Sequence, residues 1–107
     1  MKFAVHLIED AEADLLDIYR YVARNDSAEQ ANRLLDKLEV TILKLETLPG
    51  RGHIPPELER VGVLDFREIH FKSFRIIYEI VDKDVFIHCV LDGRRDLQEL
   101  LYKRMLR

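Results

Sequence analysis

The charged residues with the clearest capacity for chemistry fall on two neighbouring predicted strands. Arg75 and Glu79 alternate with apolar residues in the segment 74–81, and His88 follows in the next apolar run. Because successive side chains of a strand point to opposite faces, Arg75 and Glu79 share one face of the sheet. They predict either a cross-strand charged pair or the polar part of a functional groove. We expect this face to be uncovered and Arg75→Ala to leave the fold intact.

The histidines and the single cysteine indicate less chemistry. His6 and His88 fall on predicted strands, whereas His53 lies in a predicted loop and His70 near a strand end. No pair has the i, i+4 spacing of a helical metal site, so we expect scattered histidines, no bound metal and no cofactor. Cys89 stands among apolar residues, which predicts an inert core thiol.

Positive charge is concentrated at the C-terminal end. The chain of 107 residues has a net charge of −3, whereas residues 94–107 hold five Lys/Arg and two Asp/Glu, a net charge of +3. The remainder therefore totals −6, which disfavours broad binding of nucleic acid by phosphate neutralisation. The candidate target-binding residues are the cations Arg94, Arg95, Lys103 and Arg104.

Hydrophobic periodicity predicts the elements that position these residues. The predicted strands are 2–8, 66–71, 74–81 and 85–91. The predicted helices are 11–24, 27–45 and 95–106. The region 49–64 holds all three prolines and three of the four glycines, which predicts a loop. The short break between the first two helices implies an antiparallel helical hairpin.

This order of elements predicts a single α+β domain over residues 1–107. In it, the helical hairpin packs on one face of a mostly antiparallel four-stranded sheet that includes the N-terminal strand, and a short C-terminal helix follows. A hydrophobic content of 48% excludes a disordered chain. With neither a membrane-length apolar run nor a signal-peptide pattern, we expect a small soluble cytoplasmic protein.

The face of the sheet away from the helices is expected to carry an apolar strip. Ile77, Val81 and Val90 would be exposed there beside the charged residues. Exposed apolar surface of this kind favours a polypeptide partner that covers it.

Three segments of the chain follow a recognisable pattern. They are EADLLDIYRY (12–21) in the first helix, FRIIYEI (74–80) in the central strand and VLDGRRDL (90–97) after the last strand. In this order and spacing they resemble the RelE/ParE superfamily of toxins from bacterial type II toxin–antitoxin systems. The resemblance covers essentially the whole chain and implies the α+β fold described above.

The resemblance also implies a cognate antitoxin and a toxin–antitoxin hetero-oligomer. We expect a partly disordered antitoxin segment to fold across the helical hairpin and the sheet. The candidate residues of this antitoxin face are Arg75, Ile77, Glu79 and His88.

Two activities occur among the proteins that the chain resembles. RelE-like members cut mRNA on the ribosome with basic residues and a His or Tyr, whereas ParE-like members poison DNA gyrase without hydrolysing a substrate. Arg75 matches the strand arginine that nuclease members place on phosphate. The catalytic candidates of a nuclease would be Arg67, Arg75, Arg94 and Arg95, with Tyr102 as a possible acid/base.

Other features favour the ParE-like branch. Asp92 follows the last strand, where many relatives have a His or a Tyr, and an aspartate is a poor general acid facing a polyanion. The acidic balance of the chain fits badly with docking into ribosomal RNA. We therefore expect a ParE-like gyrase poison that is not an enzyme. The alternatives are a RelE-like mRNA interferase and a degenerate toxin that only binds its antitoxin.

Overall fold

The computed structural model describes residues 2–106. In chain order their elements are β1 (Ala4–Leu7), α1 (Glu9–Asn25), α2 (Ala28–Leu43), α3 (Pro56–Glu59), β2 (Phe66–Phe71), β3 (Phe74–Val81), β4 (Asp84–Asp92) and α4 (Gln98–Met105). Periodicity predicted each of these except α3, a single turn that begins at Pro56 inside the predicted loop. Among these helices, none is both long and apolar enough to cross a lipid bilayer.

The strands form one sheet in the order β1–β4–β3–β2. The pairs β2–β3 and β3–β4 are antiparallel and are joined by two-residue turns. β1 lies parallel to β4 at the edge of the sheet opposite β2. A parallel pair needs a long connection, and the chain between β1 and β4 includes both long helices. The predicted fold, a mostly antiparallel sheet with a helical hairpin and a C-terminal helix, is confirmed.

α1 and α2 cover one face of this sheet. The hydroxyl of Ser27 accepts a hydrogen bond from the backbone amide of Gln30 at 3.1 Å, which fixes the start of α2. The two-residue connection between the helices places them as neighbours in a hairpin. The buried residues of this main core are Ala11, Leu15, Leu38, Ile42, Leu45, Ile69, Ile76, Tyr78, Val85, Ile87 and Val90.

The opposite face of the sheet is covered by α4 and the turn before it. Ile77 and Cys89 are fully buried there against Leu97 and Leu101. The prediction of an exposed apolar strip is therefore wrong for Ile77, because the chain's own C-terminal helix covers it. Val81, at the end of β3, is the member of that strip that remains exposed, at 43%.

A β-bulge in β4 explains why Val90 is also buried. Ile77 pairs with Cys89 while the next residue of β3, Tyr78, pairs with Ile87, so His88 is an extra residue on β4. The inward and outward alternation of β4 shifts by one position at this point. Val90 consequently faces the helical hairpin instead of α4.

Candidate functional site

A cleft of about 610 Å³ opens between α1 and the ends of β3 and β4. Its apolar lining includes Ile18, Val22 and Phe74. Arg94 and Arg95, which follow β4 directly, contribute the cationic part of the lining. We call this surface the α1–β4 cleft. The charged part of the lining has both signs, because it also includes the carboxylates of Asp14, Asp17 and Asp92. Apolar area for burial beside such charged groups suits an amphipathic polypeptide.

The α1–β4 cleft brings together the three segments that carry the sequence resemblance. Residues of 12–21, 74–80 and 90–97 all contribute to its lining. α1 packs across β4, so segments that are distant in the chain form one continuous surface. The three segments that carry the resemblance therefore meet at one surface of the folded chain.

The tail cations Arg94, Arg95 and Lys103 are exposed, as a target-binding role requires. The side chain of Arg94 is 74% exposed, and its Nη2 donates to Oδ2 of Asp92 at 2.7 Å. This hydrogen bond holds the pKa of the Asp92 carboxyl below its ordinary value. An ion pair this exposed is readily exchanged for another partner. The last cation of the tail, Arg107, lies outside the described residues.

Arg104, the fourth target-binding candidate, does not point outward as that prediction requires. Its side chain is 13% exposed, and its two terminal nitrogens donate to the carboxylate of Asp14 at 3.0 and 3.1 Å. Nη2 also donates to the carbonyl oxygen of His88 at 2.9 Å. Arg104 follows Leu97 and Leu101 at steps of four and three, so it shares their buried side of α4. That spacing is the sequence signal of its structural role.

Asp14 and Arg104 together tie α1 and α4 to the bulge in β4. Oδ2 of Asp14 also accepts a hydrogen bond from the backbone amide of Val90 at 3.0 Å. Burial opposes the charged form of Arg104, but its hydrogen bonds to Asp14 prevail and raise its pKa. Arg104 therefore stays charged, and its contacts with Asp14 act as a clamp between three elements.

Arg75 is enclosed by two carboxylates, so the prediction that its face is uncovered is wrong. Its Nε and Nη2 donate to the two oxygens of Glu68, each at 2.8 Å. Its Nη1 and Nη2 donate to Glu57 at 2.7 and 2.8 Å. The side chain of Arg75 is 13% exposed and that of Glu68 only 1%. The helix α3 brings Glu57 over this position, which no periodic pattern in the loop 49–64 could indicate.

The electrostatics of this cluster favour the fully ionised state. Burial alone would raise the pKa of Glu68, but hydrogen bonds from Arg75 and His70 hold it below the ordinary 4.5. The hydrogen bond from Arg75 also lowers the pKa of Glu57, and the two carboxylates raise the pKa of Arg75. At neutral pH two negative charges surround one positive charge. A phosphate approaching this arginine would meet a negative local potential.

The two strand arginines of the nuclease alternative, Arg67 and Arg75, lie on opposite faces of the sheet. Arg67 stands opposite Tyr78 in the β2–β3 register, and directly opposed residues share a face of the sheet. Arg67 therefore lies on the side of the helical hairpin, whereas Arg75 lies on the side of α4. Nη1 of Arg67 donates to the carbonyl oxygen of Gly52 at 3.0 Å. Tyr102 is half-buried on α4.

The remaining candidates of the antitoxin face lie in the layer beneath α4. Ile77 is fully buried. Nε2 of His88 lies 3.3 Å from Oε1 of Glu79 in a contact between β4 and β3, and both residues are half-buried. The predicted core position of Cys89 is confirmed, and burial raises the pKa of its thiol to about 12. This surface is covered by the chain itself and leaves little for a partner to contact.

Two of the histidines are not scattered as the sequence analysis expected. His53 and His70 lie beside Glu68, with their ring centroids 5.4 Å apart. One ligand atom of each of these three residues lies within 4.8 Å of the others. Of the described residues, these form the group that could hold a metal ion. Sequence spacing missed it because His53 reaches the sheet through the loop.

Comparison with known proteins agrees with this architecture. Residues 5–97 match the family model of the ParE toxin of type II toxin–antitoxin systems, parDE. The chain is 30% identical over 91 residues to Toxin ParE3 of Caulobacter vibrioides, a match that covers 85% of this chain and 87% of that protein.

Solved structures share the fold at lower sequence identity. The chromosomal ParDE toxin–antitoxin system from P. aeruginosa contains a chain with a TM-score of 0.70 and 18% identity, covering 83% of this chain and 94% of that one. The toxin–antitoxin complex RelBE2 from Mycobacterium tuberculosis matches with a TM-score of 0.66 and 19% identity, over 86% and 92% of the two chains. A mutant of the E. coli toxin RelE in the free state matches with a TM-score of 0.65 and 16% identity, over 99% and 96%.

Proposed function

Because the chain belongs to the ParE toxin family of type II toxin–antitoxin systems, we propose that it inhibits growth by poisoning DNA gyrase and that a cognate antitoxin neutralises it. Both events take place in the cytoplasm. The proposal assigns the chain a binding function: it traps a complex of gyrase and cleaved DNA and catalyses no reaction of its own.

The observation that carries this proposal is the enclosure of Arg75. A nuclease needs its strand arginine to meet a phosphate, yet here Glu57 and Glu68 take up the guanidinium with four hydrogen bonds of 2.7–2.8 Å. The other strand arginine, Arg67, lies on the opposite face of the sheet. These positions supply neither a phosphate clamp nor a stabiliser for a phosphorane, and both are needed for cleavage of RNA.

The exposed cations Arg94, Arg95 and Lys103 are the proposed contacts with the target. A complex of gyrase and DNA is polyanionic, and each cation that meets a phosphate adds to affinity through release of counterions. Arg104 is not one of these contacts, because Asp14 holds it inside the fold.

The α1–β4 cleft is the proposed antitoxin site. An amphipathic antitoxin segment would bury apolar side chains against residues such as Ile18 and Val22 and pair acidic side chains with Arg94 and Arg95. Such a segment covers two of the three target-binding cations. Neutralisation then follows from competition for the same side chains.

The test of the target compares two assays on the same purified protein. We expect trapping of cleaved DNA in a gyrase supercoiling assay and no cleavage of mRNA on translating ribosomes. Ribosome-dependent cleavage without an effect on gyrase would establish the nuclease alternative. Absence of both activities, together with antitoxin binding, would identify a degenerate toxin.

Neutralising variants test the target surface. A triple variant should abolish growth inhibition and gyrase trapping while leaving the thermal stability unchanged. It combines Arg94→Ala, Arg95→Ala and Lys103→Ala. The matched control replaces three exposed cations, Arg24 and Lys37 of the helical hairpin and Lys44 directly after it, with alanine. Loss of toxicity in the control variant alone would place the target surface on the helical hairpin.

A single substitution separates antitoxin binding from toxicity. Tyr21 lines the α1–β4 cleft and is 66% exposed, so Tyr21→Glu should weaken capture of the antitoxin encoded by the neighbouring reading frame. Growth inhibition should persist, because the three cations are unchanged. Leu48→Glu is the control, since Leu48 is similarly exposed at 62% and lies after α2, outside the cleft. Equal binding by both variants would rule out the cleft.

A further inference from the structure

We propose that His53, Glu68 and His70 form a binding site for a divalent transition-metal ion of the zinc type. Nε2 of His70 lies 2.7 Å from Oε1 of Glu68, and Nε2 of His53 lies 3.7 Å from Oε2 of the same carboxylate. The three ligand atoms all lie within 4.8 Å of one another. Two imidazoles and a carboxylate are a donor set that zinc accepts in proteins.

The backbone holds the three ligands together. Glu68 and His70 are two residues apart on β2, so their side chains leave the same face of the strand. His53 pairs with Glu68 through an isolated bridge, in which each backbone amide donates to the other's carbonyl oxygen, at 3.1 and 2.7 Å. His53 is thus fixed at the edge of the sheet.

The close approach of the loop depends on Gly52. A Cβ at this position would lie 2.5 Å from the hydroxyl oxygen of Tyr78 and 2.6 Å from the carbonyl oxygen of Glu68. The Tyr78 hydroxyl donates to the carbonyl oxygen of Pro49 at 2.6 Å and accepts from the Gly52 amide at 3.1 Å. These contacts secure the loop residue that immediately precedes His53. Hydrogen bonds therefore hold the backbone on both sides of the site, in the loop at Gly52 and in β2.

The surroundings supply the charge that a cation needs. Arg75 donates to both oxygens of Glu68 and so orients the carboxylate, while Glu57 neutralises Arg75. With neutral imidazoles the cluster carries a net charge of −1, which favours a dication despite the nearby guanidinium. Such support of a ligand from its outer side is typical of metal sites.

The separations require only small side-chain rotations. Tetrahedral zinc with bonds of about 2.0–2.1 Å holds its ligand atoms about 3.3 Å apart. The separations of 2.7 and 3.7 Å join His70 and His53 to the two different oxygens of Glu68, and they lie on either side of that value. A common ion would therefore draw together ligand atoms that now lie within 4.8 Å of one another. On metal binding, the imidazole of His70 would exchange its hydrogen bond with Glu68 for coordination. The His53 and His70 side chains are 60% and 49% exposed, which leaves a route for entry and room for water as a fourth ligand.

Cobalt(II) is a suitable first probe because its visible absorption reports tetrahedral coordination. Adding it to the full chain without an affinity tag should produce this absorption at one equivalent, and zinc should displace it. Isothermal calorimetry with zinc should give one site per chain. Zinc should also raise the midpoint of thermal unfolding, because it binds the folded protein.

Histidine variants locate the site. His53→Ala and His70→Ala should each lower zinc affinity by at least about tenfold, since loss of a ligand costs more than loss of its supporting partner. His6→Ala is the matched control, because the His6 side chain is similarly exposed at 46% and also contacts a carboxylate, that of Asp84. The zinc affinity of the His6→Ala variant should equal that of the unmodified protein. No binding by the unmodified protein, or binding that survives the double histidine variant, would overturn the proposal.

Discussion

Replacing Arg75 with alanine tests whether the enclosed ion pairs hold the fold together. The substitution removes four hydrogen bonds of 2.7–2.8 Å and leaves Glu68, which is 1% exposed, without its cation. Loss of one partner from a buried pair costs about 3–5 kcal/mol, because the other charge stays buried and uncompensated. That is a large part of the about 5–15 kcal/mol by which a typical domain is stable.

Chemical denaturation at pH 7, followed by circular dichroism, measures this loss. In a separate thermal unfolding experiment, the same loss should lower the midpoint by about 12 °C or more, because each kcal/mol shifts the midpoint of a chain of this size by about 4 °C. Arg33→Ala is the control, because the Arg33 side chain is 63% exposed in its pair with Glu29. Removal of such a surface pair should change the stability by at most about 0.5 kcal/mol.

The pH dependence supplies an independent check. In the unmodified protein the folded-state pKa values of Glu57 and Glu68 lie below the ordinary 4.5. Their stabilising contribution is therefore fully present above pH 4.5 and is lost as the pH falls through the depressed folded values. Without Arg75, burial instead raises the pKa of Glu68, which destabilises the folded variant at neutral pH. The stability difference between the two proteins should shrink in acid.

A second substitution distinguishes lost charge balance from lost packing. Glu68→Gln added to Arg75→Ala should restore part of the stability, because the more deeply buried of the two uncompensated carboxylates is then replaced by a neutral amide, while Glu57, at 15% exposed, remains without its cation. An Arg75→Ala variant within about 0.5 kcal/mol of the unmodified protein at pH 7 would refute this account of the cluster.

Three further predictions follow from the structure. Arg104→Ala should lower the free energy of unfolding by about 2–3 kcal/mol, since its hydrogen bonds to a carboxylate are lost; denaturant unfolding measures this, and an unchanged midpoint would contradict the clamp. Cys89 should not react with a thiol reagent at pH 8 until the protein unfolds. A pKa of about 12 leaves roughly one thiol in ten thousand as thiolate at that pH. Rapid labelling of the native protein would contradict the burial of this residue. Gly52→Ala should destabilise by about 1–3 kcal/mol, because its Cβ would lie 2.5 Å from the Tyr78 hydroxyl; thermal unfolding decides this, and no change would show that the loop can move aside.

The fold was predictable because amphipathic patterns are local. The strands and the three longer helices each bury one face, and the spacing of apolar residues records this directly. The ends of the elements were less certain: α1 begins at Glu9, where the predicted helix began at residue 11. α3 escaped prediction because a single turn of four residues is too short to show a period.

The site was less predictable because its contacts join distant positions. Glu57 reaches Arg75 from a proline-rich loop, 18 residues away in the chain, and no rule of spacing connects them. Val90 was assigned to the wrong face because one extra residue, His88, shifts the alternation of β4. Arg104 was also predicted on the wrong side, although its steps of seven from Leu97 and three from Leu101 are a local signal for the buried side of α4.

The distribution of arginines explains why net charge alone is a poor guide to a binding surface here. The tail has a net charge of +3 in the sequence, yet Asp14 binds Arg104 inside the fold. Arg94 and Arg95 remain accessible beside apolar lining from α1 and β3. Two accessible arginines, three aspartates and apolar area thus meet at the α1–β4 cleft, which lies at the opposite end of β3 from Val81. Under the proposed function, a segment that fills the apolar part and pairs with Arg94 and Arg95 would cover them, so we expect antitoxin binding and target binding to exclude each other.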